Sequence, residues 1–161
     1  MYLAVISDTH SRLDQIPKAL NLFESFEVAH VIHCGDIADP SAIRLFKDFR
    51  TYFVFGNCDH DRNALRAAIS EIGATCCEDF GQLEIEDQKI AFLHGDDASR
   101  LRRESASGTH DYLFHGHSHQ PGHHRQGPTL ILNPGALHRA SRHTIAILDP
   151  TTARFEILPI G

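Results

Sequence analysis

The sequence predicts an α/β domain in which two β-sheets pack against each other with helices on the outside. Three observations indicate this fold class. The first half of the chain alternates strand, loop and helix three times, a pattern typical of parallel strands joined by helices. After Gly73 short strands alternate with turns instead, which favours a second, largely antiparallel sheet. Short polar motifs follow the predicted strands, as expected where several strands end at one crevice.

The composition is that of one globular domain spanning residues 1–161. Hydrophobic residues make up 42% of the chain and charged residues 22%, which is ordinary for a soluble protein. A polar motif begins at Asp8, and no apolar run reaches membrane-spanning length, so we expect neither a signal peptide nor a membrane partner. The four cysteines form no CxxC pair, which favours free thiols in a cytoplasmic protein.

The charge and the histidine content indicate which kinds of molecule or ion the protein binds. The formal net charge is −6 with the histidines neutral, and this acidity disfavours a broad nucleic-acid-binding surface. Thirteen histidines are the compositional outlier. Histidine is a common metal ligand, and two bound dications would bring the chain closer to neutrality. The composition therefore fits a metal-binding protein that acts on small molecules.

The first half of the chain is predicted to form three strands and three helices. Continuous apolar, β-branched runs favour strands buried on both faces, at Leu3–Ser7, Val31–Cys34 and Tyr52–Phe55. Asp14 is the expected N-cap of the first helix, and Asp39 that of the second. The apolar stripes of the helices are Ile16, Leu20 and Phe23; Ala42, Leu45, Phe46 and Phe49; and Leu65, Ala68, Ile69 and Ile72.

The second half is predicted to be rich in strands. Gln82–Ile85 and Lys89–Leu93 alternate around an acidic turn and read as a hairpin. A short polar helix is expected at Ser99–Ser107, and an exposed turn at His123–Arg125. Further strands are expected at Tyr112–Phe114, Thr129–Asn133, Thr144–Asp149 and Arg154–Ile157.

Five polar motifs after the predicted strands point to a metal site. Aspartate, asparagine and histidine are ligands suited to divalent transition metals, and the ends of strands in an α/β fold open onto one crevice. The pattern predicts a hydrolytic site with two metals. The motifs are Asp8-Thr9-His10, Gly35-Asp36, Gly56-Asn57-Cys58-Asp59, His94-Gly95 and Gly116-His117-Ser118-His119.

Each motif also has a plainer interpretation. Asp8 and His10 would share a face on an extended strand end, but Asp8 could instead cap a loop. Gly56 and Asn57 together are common turn chemistry. Asp39 is better explained as a helix cap than as a ligand. The combination of four histidines with three further donors is what favours metal binding.

In this order, and with Asn133-Pro134-Gly135 added, the motifs resemble the calcineurin-like metallophosphoesterase family, in particular its small single-domain phosphodiesterases. The resemblance covers Asp8 to Gly135 and implies a four-layer αββα sandwich, two mixed sheets flanked by helices, with the metals above the strand ends. It implies two metal ions bridged by Asp36. By matching positions, the first would be held by Asp8, His10, Asp36 and His119, and the second by Asp36, Asn57, His94 and His117.

The resemblance implies a metal-dependent phosphodiesterase or phosphatase acting on small soluble phosphoesters or nucleotides. Two cations that share a water lower its pKa, and the resulting bridging hydroxide would attack phosphorus. We expect manganese by preference, although iron, nickel, cobalt and zinc also suit the donors. The alternative is a non-catalytic, metal-binding interaction or scaffold module on the same fold. The sequence leaves the oligomeric state open, a homo-oligomer included.

The chain departs from the family pattern at Cys58, where many members carry a histidine that protonates the leaving group. A thiol is a poorer proton donor, so another residue would have to act as the acid; His60 and His138 are the candidates. Asn57 is expected to position phosphate oxygen, and Asp59 to orient its loop or a neighbouring imidazole. Arg139, and with it Arg142, could hold a substrate phosphate or could be solvated surface residues.

Overall fold

The computed structural model describes residues 1–161 as an α/β fold with two mixed sheets and four helices, as predicted. The helices are α1 (Ile16–Ser25), α2 (Pro40–Arg44), α3 (Arg62–Glu71) and α4 (Ala98–Ala106). The strands are β1 (Tyr2–Ile6), β2 (Val28–His33), β3 (Thr51–Phe53), β4 (Thr75–Cys76), β5 (Phe80–Ile85), β6 (Gln88–Leu93), β7 (Tyr112–Phe114), β8 (Gly122–Gln126), β9 (Thr129–Asn133), β10 (Thr144–Asp149) and β11 (Arg154–Pro159).

The first sheet has the strand order β11-β10-β1-β2-β3-β4. Its strands β1 to β4 run parallel, whereas β10 pairs antiparallel with β1 and β11 antiparallel with β10. Parallel neighbours need a crossover connection, and α1, α2 and α3 supply it. As a result β1, β2 and β3 end at the same edge.

The second sheet has the strand order β5-β6-β7-β9-β8. The hairpin of β5 and β6 is confirmed, but the expectation of a largely antiparallel sheet was wrong, because β6, β7 and β9 run parallel. Helix α4 connects β6 to β7 and allows the parallel pairing. The ends of β6 and β7 therefore also share one edge.

Alternating side chains of the strands divide the core into layers. In β1, Ala4 and Ile6 pack with the residues of α1 to α3, while Leu3 and Val5 face the second sheet. On the outer face of the second sheet, Leu113 belongs to a smaller cluster against which Leu101 of α4 packs. The order of layers is helices, sheet, sheet, helix, which confirms the four-layer sandwich.

The structure corrects several local expectations. Asp14 does not cap α1; it pairs with Arg12 at 2.8 Å, and α1 begins after it. Asp39 does cap α2, accepting a hydrogen bond from the Ser41 amide, but this helix is only one turn long. The predicted turn at His123–Arg125 lies within β8. That edge strand is exposed on nearly all its residues, so it lacks the apolar alternation that marks other strands. No helix of the fold is long and apolar enough to cross a membrane.

Candidate metal centre

The seven predicted ligands come together where β1, β2, β3, β6 and β7 end. They form a cluster with a closed base and an open side: Asp8, Asp36 and His94 are buried, while Asn57 and His117 are exposed. The loops of β1 and β2 are tied by a hydrogen bond from the Asp8 amide to the Gly35 carbonyl. The His117 amide in turn donates to the Asp8 carboxylate at 3.0 Å, which joins the two sheets at this point.

The backbone that carries Asp8, His10, His117 and His119 is not extended, contrary to the expectation for Asp8 and His10. Each of these residues, and Asp36, has a positive φ between 41° and 69°. The left-handed conformation costs about 1–2 kcal/mol per residue for side chains with a Cβ. Such strain concentrates at functional sites that the surrounding structure holds in place. The donors converge because the chain turns sharply after each strand.

Asp8 presents one free oxygen to the cluster. Its Oδ2 accepts hydrogen bonds from the Ser7 hydroxyl at 2.6 Å and from the His117 amide. Its Oδ1 is buried, has no hydrogen-bond partner and lies 3.2 Å from His119 Nε2 and 3.9 Å from His10 Nε2. His10 Nε2 is likewise buried without a partner. Buried polar atoms are normally satisfied, so Asp8 Oδ1 and His10 Nε2 fit the role of ligands to a cation.

Asp36 lies between the two predicted ligand sets. Its Oδ1 accepts a hydrogen bond from the Cys58 amide at 2.9 Å. Its Oδ2 lies 3.3 Å from the Nε2 atoms of both His10 and His94, one imidazole from each set. Asp36 Oδ2 therefore lies between the imidazoles of the two predicted ligand sets.

Two of the imidazoles, those of His94 and His119, are held in a tautomer that leaves Nε2 able to bind a metal. His94 Nδ1 donates to the Cys34 carbonyl at 2.8 Å, and His119 Nδ1 to the Arg139 carbonyl at 3.4 Å. In the neutral ring the Nε2 atom is then left with a lone pair. His94 Nε2 lies 3.0 Å from Asn57 Oδ1, also an acceptor, so a cation between the two atoms satisfies both.

The electrostatics of the cluster favour a positive charge. Burial acts to raise the pKa of Asp8 and Asp36, but the neighbouring imidazoles outweigh it and the pKa of each carboxyl lies below its usual value. The carboxylates of Asp36 and Asp8 in turn raise the pKa of His10 to about 9. The carboxylates thus favour a positive charge in the cluster, which protonated imidazoles or divalent cations can supply.

Two glycines allow the close approach of the loops. A Cβ on Gly56 would lie 2.1 Å from Asp36 Oδ1, and one on Gly116 would lie 2.0 Å from the Ser7 hydroxyl. Both distances are far inside van der Waals contact. Any side chain at these positions would displace a carboxylate of the cluster.

Asp59 supports the loop of Asp36 from behind. Its two oxygens accept four backbone amide hydrogen bonds, at 2.7–2.9 Å, from Asp36, Ile37, Ala38 and Gly56. The side chain is buried. Of the two interpretations, orienting the loop is the one that matches these contacts. Asp59 does not face the open side of the cluster.

The open side forms a cavity of about 340 Å³, which we call the metal cleft. Cys58, His138 and Arg139 line it beside the ligands, and the His138 ring lies 4.5 Å from that of His10. His60 is exposed and does not line the cleft, so the structure does not bring this acid candidate to the site.

Two residues outside the ligand set support the cluster, and of these only Ser7 escaped the sequence reasoning, since His33 is expected in the core or behind the ligands. The Ser7 hydroxyl donates a hydrogen bond to the Asp8 carboxylate. His33 Nδ1 accepts a hydrogen bond from the Gly35 amide at 3.1 Å, and His33 Nε2 lies 3.0 Å from the Thr9 hydroxyl. Both are fully buried. A polar residue at the end of an otherwise apolar run, directly before a motif, is the signal that could have indicated Ser7.

Comparisons with known proteins show the family of the chain. A family model described as the calcineurin-like phosphoesterase superfamily domain matches residues 1–153. The chain is 32% identical over 154 residues to phosphodiesterase MJ0936 of Methanocaldococcus jannaschii, covering 92% of this chain and 93% of that one. It is 36% identical over 146 residues to the probable metallophosphoesterase MJ0623 of the same organism, covering 84% and 68%.

Solved structures show the same architecture. An archaeal phosphodiesterase superposes with a TM-score of 0.93 at 30% identity, over 99% of both chains. Vps29 of Entamoeba histolytica, solved with zinc, superposes with a TM-score of 0.71 at 18% identity over the whole of both chains, which shows a shared fold alone. Since the family model spans most of the chain and a phosphodiesterase is similar over its full extent, this chain belongs to the calcineurin-like phosphoesterase superfamily.

Proposed function

We propose that this protein is a dinuclear metal-dependent phosphodiesterase that hydrolyses small phosphoesters or nucleotides. The observation that carries the proposal is the place of Asp36 Oδ2, 3.3 Å from one imidazole of each ligand set. Two-metal sites hold their ions about 3.5–4 Å apart through such a shared ligand. The similarity to a phosphodiesterase over most of both chains supports the reaction class.

Each ion would have donors of its own besides Asp36. Asp8, His10 and His119 would hold the first, and Asn57, His94 and His117 the second. When bound, the ions would lower the pKa of a water shared between them and neutralise charge developing on the phosphoryl group. The nitrogen and oxygen donors suit manganese, our preferred metal, and accept iron, nickel, cobalt or zinc.

The residues of the chain would bind and orient the ester. The Asn57 amide and the Arg139 guanidinium face the metal cleft, where both can donate hydrogen bonds to phosphoryl oxygens. In hydrolysis water adds to phosphorus, one ester P–O bond breaks, and the departing alkoxide takes up a proton. Cys58 lies in the cleft as a weak proton donor, since burial acts first, and Asp36 next, to raise its thiol pKa.

The test is metal content measured together with turnover. The purified protein is stripped with a chelator, reloaded with manganese, zinc, iron, nickel or cobalt, and assayed on an activated diester and a matched monoester. We expect two ions per chain and hydrolysis of the diester that disappears on stripping. Two bound ions without turnover of either ester would contradict the proposal and favour the interaction module. The cytoplasmic location stays a prediction from the sequence.

A further inference from the structure

A second cavity adjoins the metal cleft on the side of His119. Its volume is about 390 Å³, which is within the range of small-molecule pockets. The two cavities share His119 and Arg139 as walls, so a substrate can extend from one into the other. We call it the arginine cavity, because Arg139 and Arg142 both line it.

The arginine cavity contains no carboxylate. Neither guanidinium pairs with an acidic side chain of the protein: no Asp or Glu lies within 4.0 Å of Arg139 or Arg142. Its remaining polar side chains include Gln120 and Ser141, which can also donate hydrogen bonds. Two unpaired cations among neutral donors form an environment for an anion.

The opposite flank of the metal centre has the reverse character. A cavity of about 230 Å³ lies against His94, and three carboxylates line it, those of Asp79, Asp96 and Asp97. One of its two guanidinium groups, that of Arg62, is already paired with Asp79 at 2.8 Å. An anionic group on the substrate is therefore repelled on the His94 side and attracted on the His119 side.

Hydrogen bonds hold the wall between the metal cleft and the arginine cavity in place. Arg139 has a φ of 48°, a strained conformation for a residue with a Cβ, and its carbonyl accepts the hydrogen bond from His119 Nδ1. The Ser118 hydroxyl accepts a hydrogen bond from Asn133, and the Thr144 hydroxyl donates to the Pro134 carbonyl. The turn that orients the imidazole of His119 thus also places Arg139 at the wall of both cavities.

We propose that the arginine cavity is a specificity site for a second anionic group of the substrate. The preferred substrates are then linear phosphodiesters in which one alcohol carries a phosphate, phosphonate or carboxylate, rather than neutral diesters. The scissile phosphodiester lies in the metal cleft, and the second anion contacts Arg142 across the shared wall. This inference rests on the proposed phosphodiesterase function.

Two p-nitrophenyl phosphodiesters test it. One has propyl as its other alcohol and the second has phosphonopropyl, whose P–C bond is not an ester and cannot be hydrolysed. The measured quantity is the ratio of kcat/KM for the phosphonopropyl ester to that for the propyl ester, on manganese-loaded protein. We expect a ratio above one for the wild type despite its negative net charge, since charge-assisted hydrogen bonds are the strong ones.

Substitutions at Arg142 should change this ratio. We expect Arg142→Ala to lower it about tenfold and Arg142→Glu to bring it below one, while Arg142→Lys keeps part of it because the charge remains. Arg154→Ala is the matched control: Arg154 is an exposed arginine on β11, the strand whose other end borders the cavity, and its loss should leave the ratio and the rates unchanged.

The outcomes separate the two proposals. A wild type that hydrolyses both esters with a ratio that Arg142→Ala and Arg142→Glu do not change overturns the specificity site and leaves the phosphodiesterase intact. A metal-loaded wild type that hydrolyses neither ester overturns both. Arg142 is exposed, so its substitution does not threaten folding.

Discussion

The base and the rim of the metal centre are built differently. At the base, Asp8, Asp36 and His94 are buried, and each has its second polar atom fixed by an amide, a hydroxyl or a carbonyl. At the rim, Asn57 is exposed and Cys58 half-buried, and the contact between their side chains is a weak one to sulfur at 3.8 Å. Hydrogen bonds thus fix the side chains of the base, whereas those of the rim are less constrained, and the proposed function assigns cation binding to the base and choice of ester to the rim.

The largest effect is expected at the bridging carboxylate of the base. Asp36→Asn replaces one oxygen by an amide group and removes the negative charge shared by both ligand sets. We expect turnover of an activated diester to fall at least ~1000-fold, with loss of one ion or both. Metal analysis and steady-state kinetics measure this. Asp87→Asn, in the exposed turn between β5 and β6, is the matched control and should behave as wild type.

The support behind the base comes next. Asp59→Asn places an amide nitrogen where two backbone amides now donate, so two of the four hydrogen bonds are lost. We expect metal affinity to fall by about tenfold to hundredfold, the usual cost of losing a group that orients ligands. Calorimetric titration of the stripped protein with manganese measures it.

Asp61→Asn is the control for that change. Asp61 caps α3 by accepting the Ala64 amide, and asparagine caps helices equally well. If Asp59→Asn bound manganese as tightly as Asp61→Asn, the base would not depend on this support.

The free energy of unfolding should also depend on pH, because His33 is buried beside the base. Burial lowers the pKa of His33 to about 3, so the folded protein keeps this ring neutral while the unfolded chain protonates it near 6.5. The contribution of the neutral His33 ring to the free energy of unfolding is complete above pH 6.5 and is lost as the pH falls towards 3. By linkage, the free energy of unfolding should drop by about 2 kcal/mol from this group between pH 6.5 and pH 5.

The comparison that isolates this group is between the stripped wild type and His33→Gln. Urea unfolding at the two pH values gives the change in free energy for each protein. We expect the change to be smaller in His33→Gln by about 2 kcal/mol, since glutamine does not titrate. Equal changes in the two proteins would show that His33 is not held neutral.

The smallest effect is expected at the rim. Cys58→His puts a proton donor where the family pattern often has one, facing the metal cleft. We expect up to ~10-fold faster hydrolysis of alkyl esters, whose basic leaving groups need a proton. The p-nitrophenyl ester is the internal control, because its leaving group departs without one. An unchanged or slower rate on the alkyl ester would contradict the idea that the acid is missing.

Much of the fold was predictable because buried strands carry a clear pattern. In β1, the residues Leu3–Ile6 are apolar without interruption and lie buried on both faces, as expected. The strand β8 was missed since its residues, such as His124 and Arg125, face solvent, and β4 was missed since it has only two residues. An exposed edge strand has polar side chains on both faces. Its sequence therefore lacks the apolar pattern by which a buried strand is identified.

The site was predictable in its donors and not in its geometry. Spacing identified Asp8 and His10 as a pair, but the left-handed turns that bring them together depend on contacts with the loop of Asp36. The choice between His60 and His138 as cleft residues likewise needed the fold, because only His138 lines the metal cleft. The carboxylate-free arginine cavity is a feature of three segments distant in sequence, so no local pattern marks it.

In the proposed site, Asp36 joins two cations held by the other six donors. Electron paramagnetic resonance of the protein loaded with two equivalents of manganese tests it most directly, because ions about 3.5–4 Å apart interact magnetically. We predict the spectrum of a coupled manganese pair in the wild type and its loss in Asp36→Asn. The spectrum of isolated manganese ions in the fully loaded wild type would contradict the account.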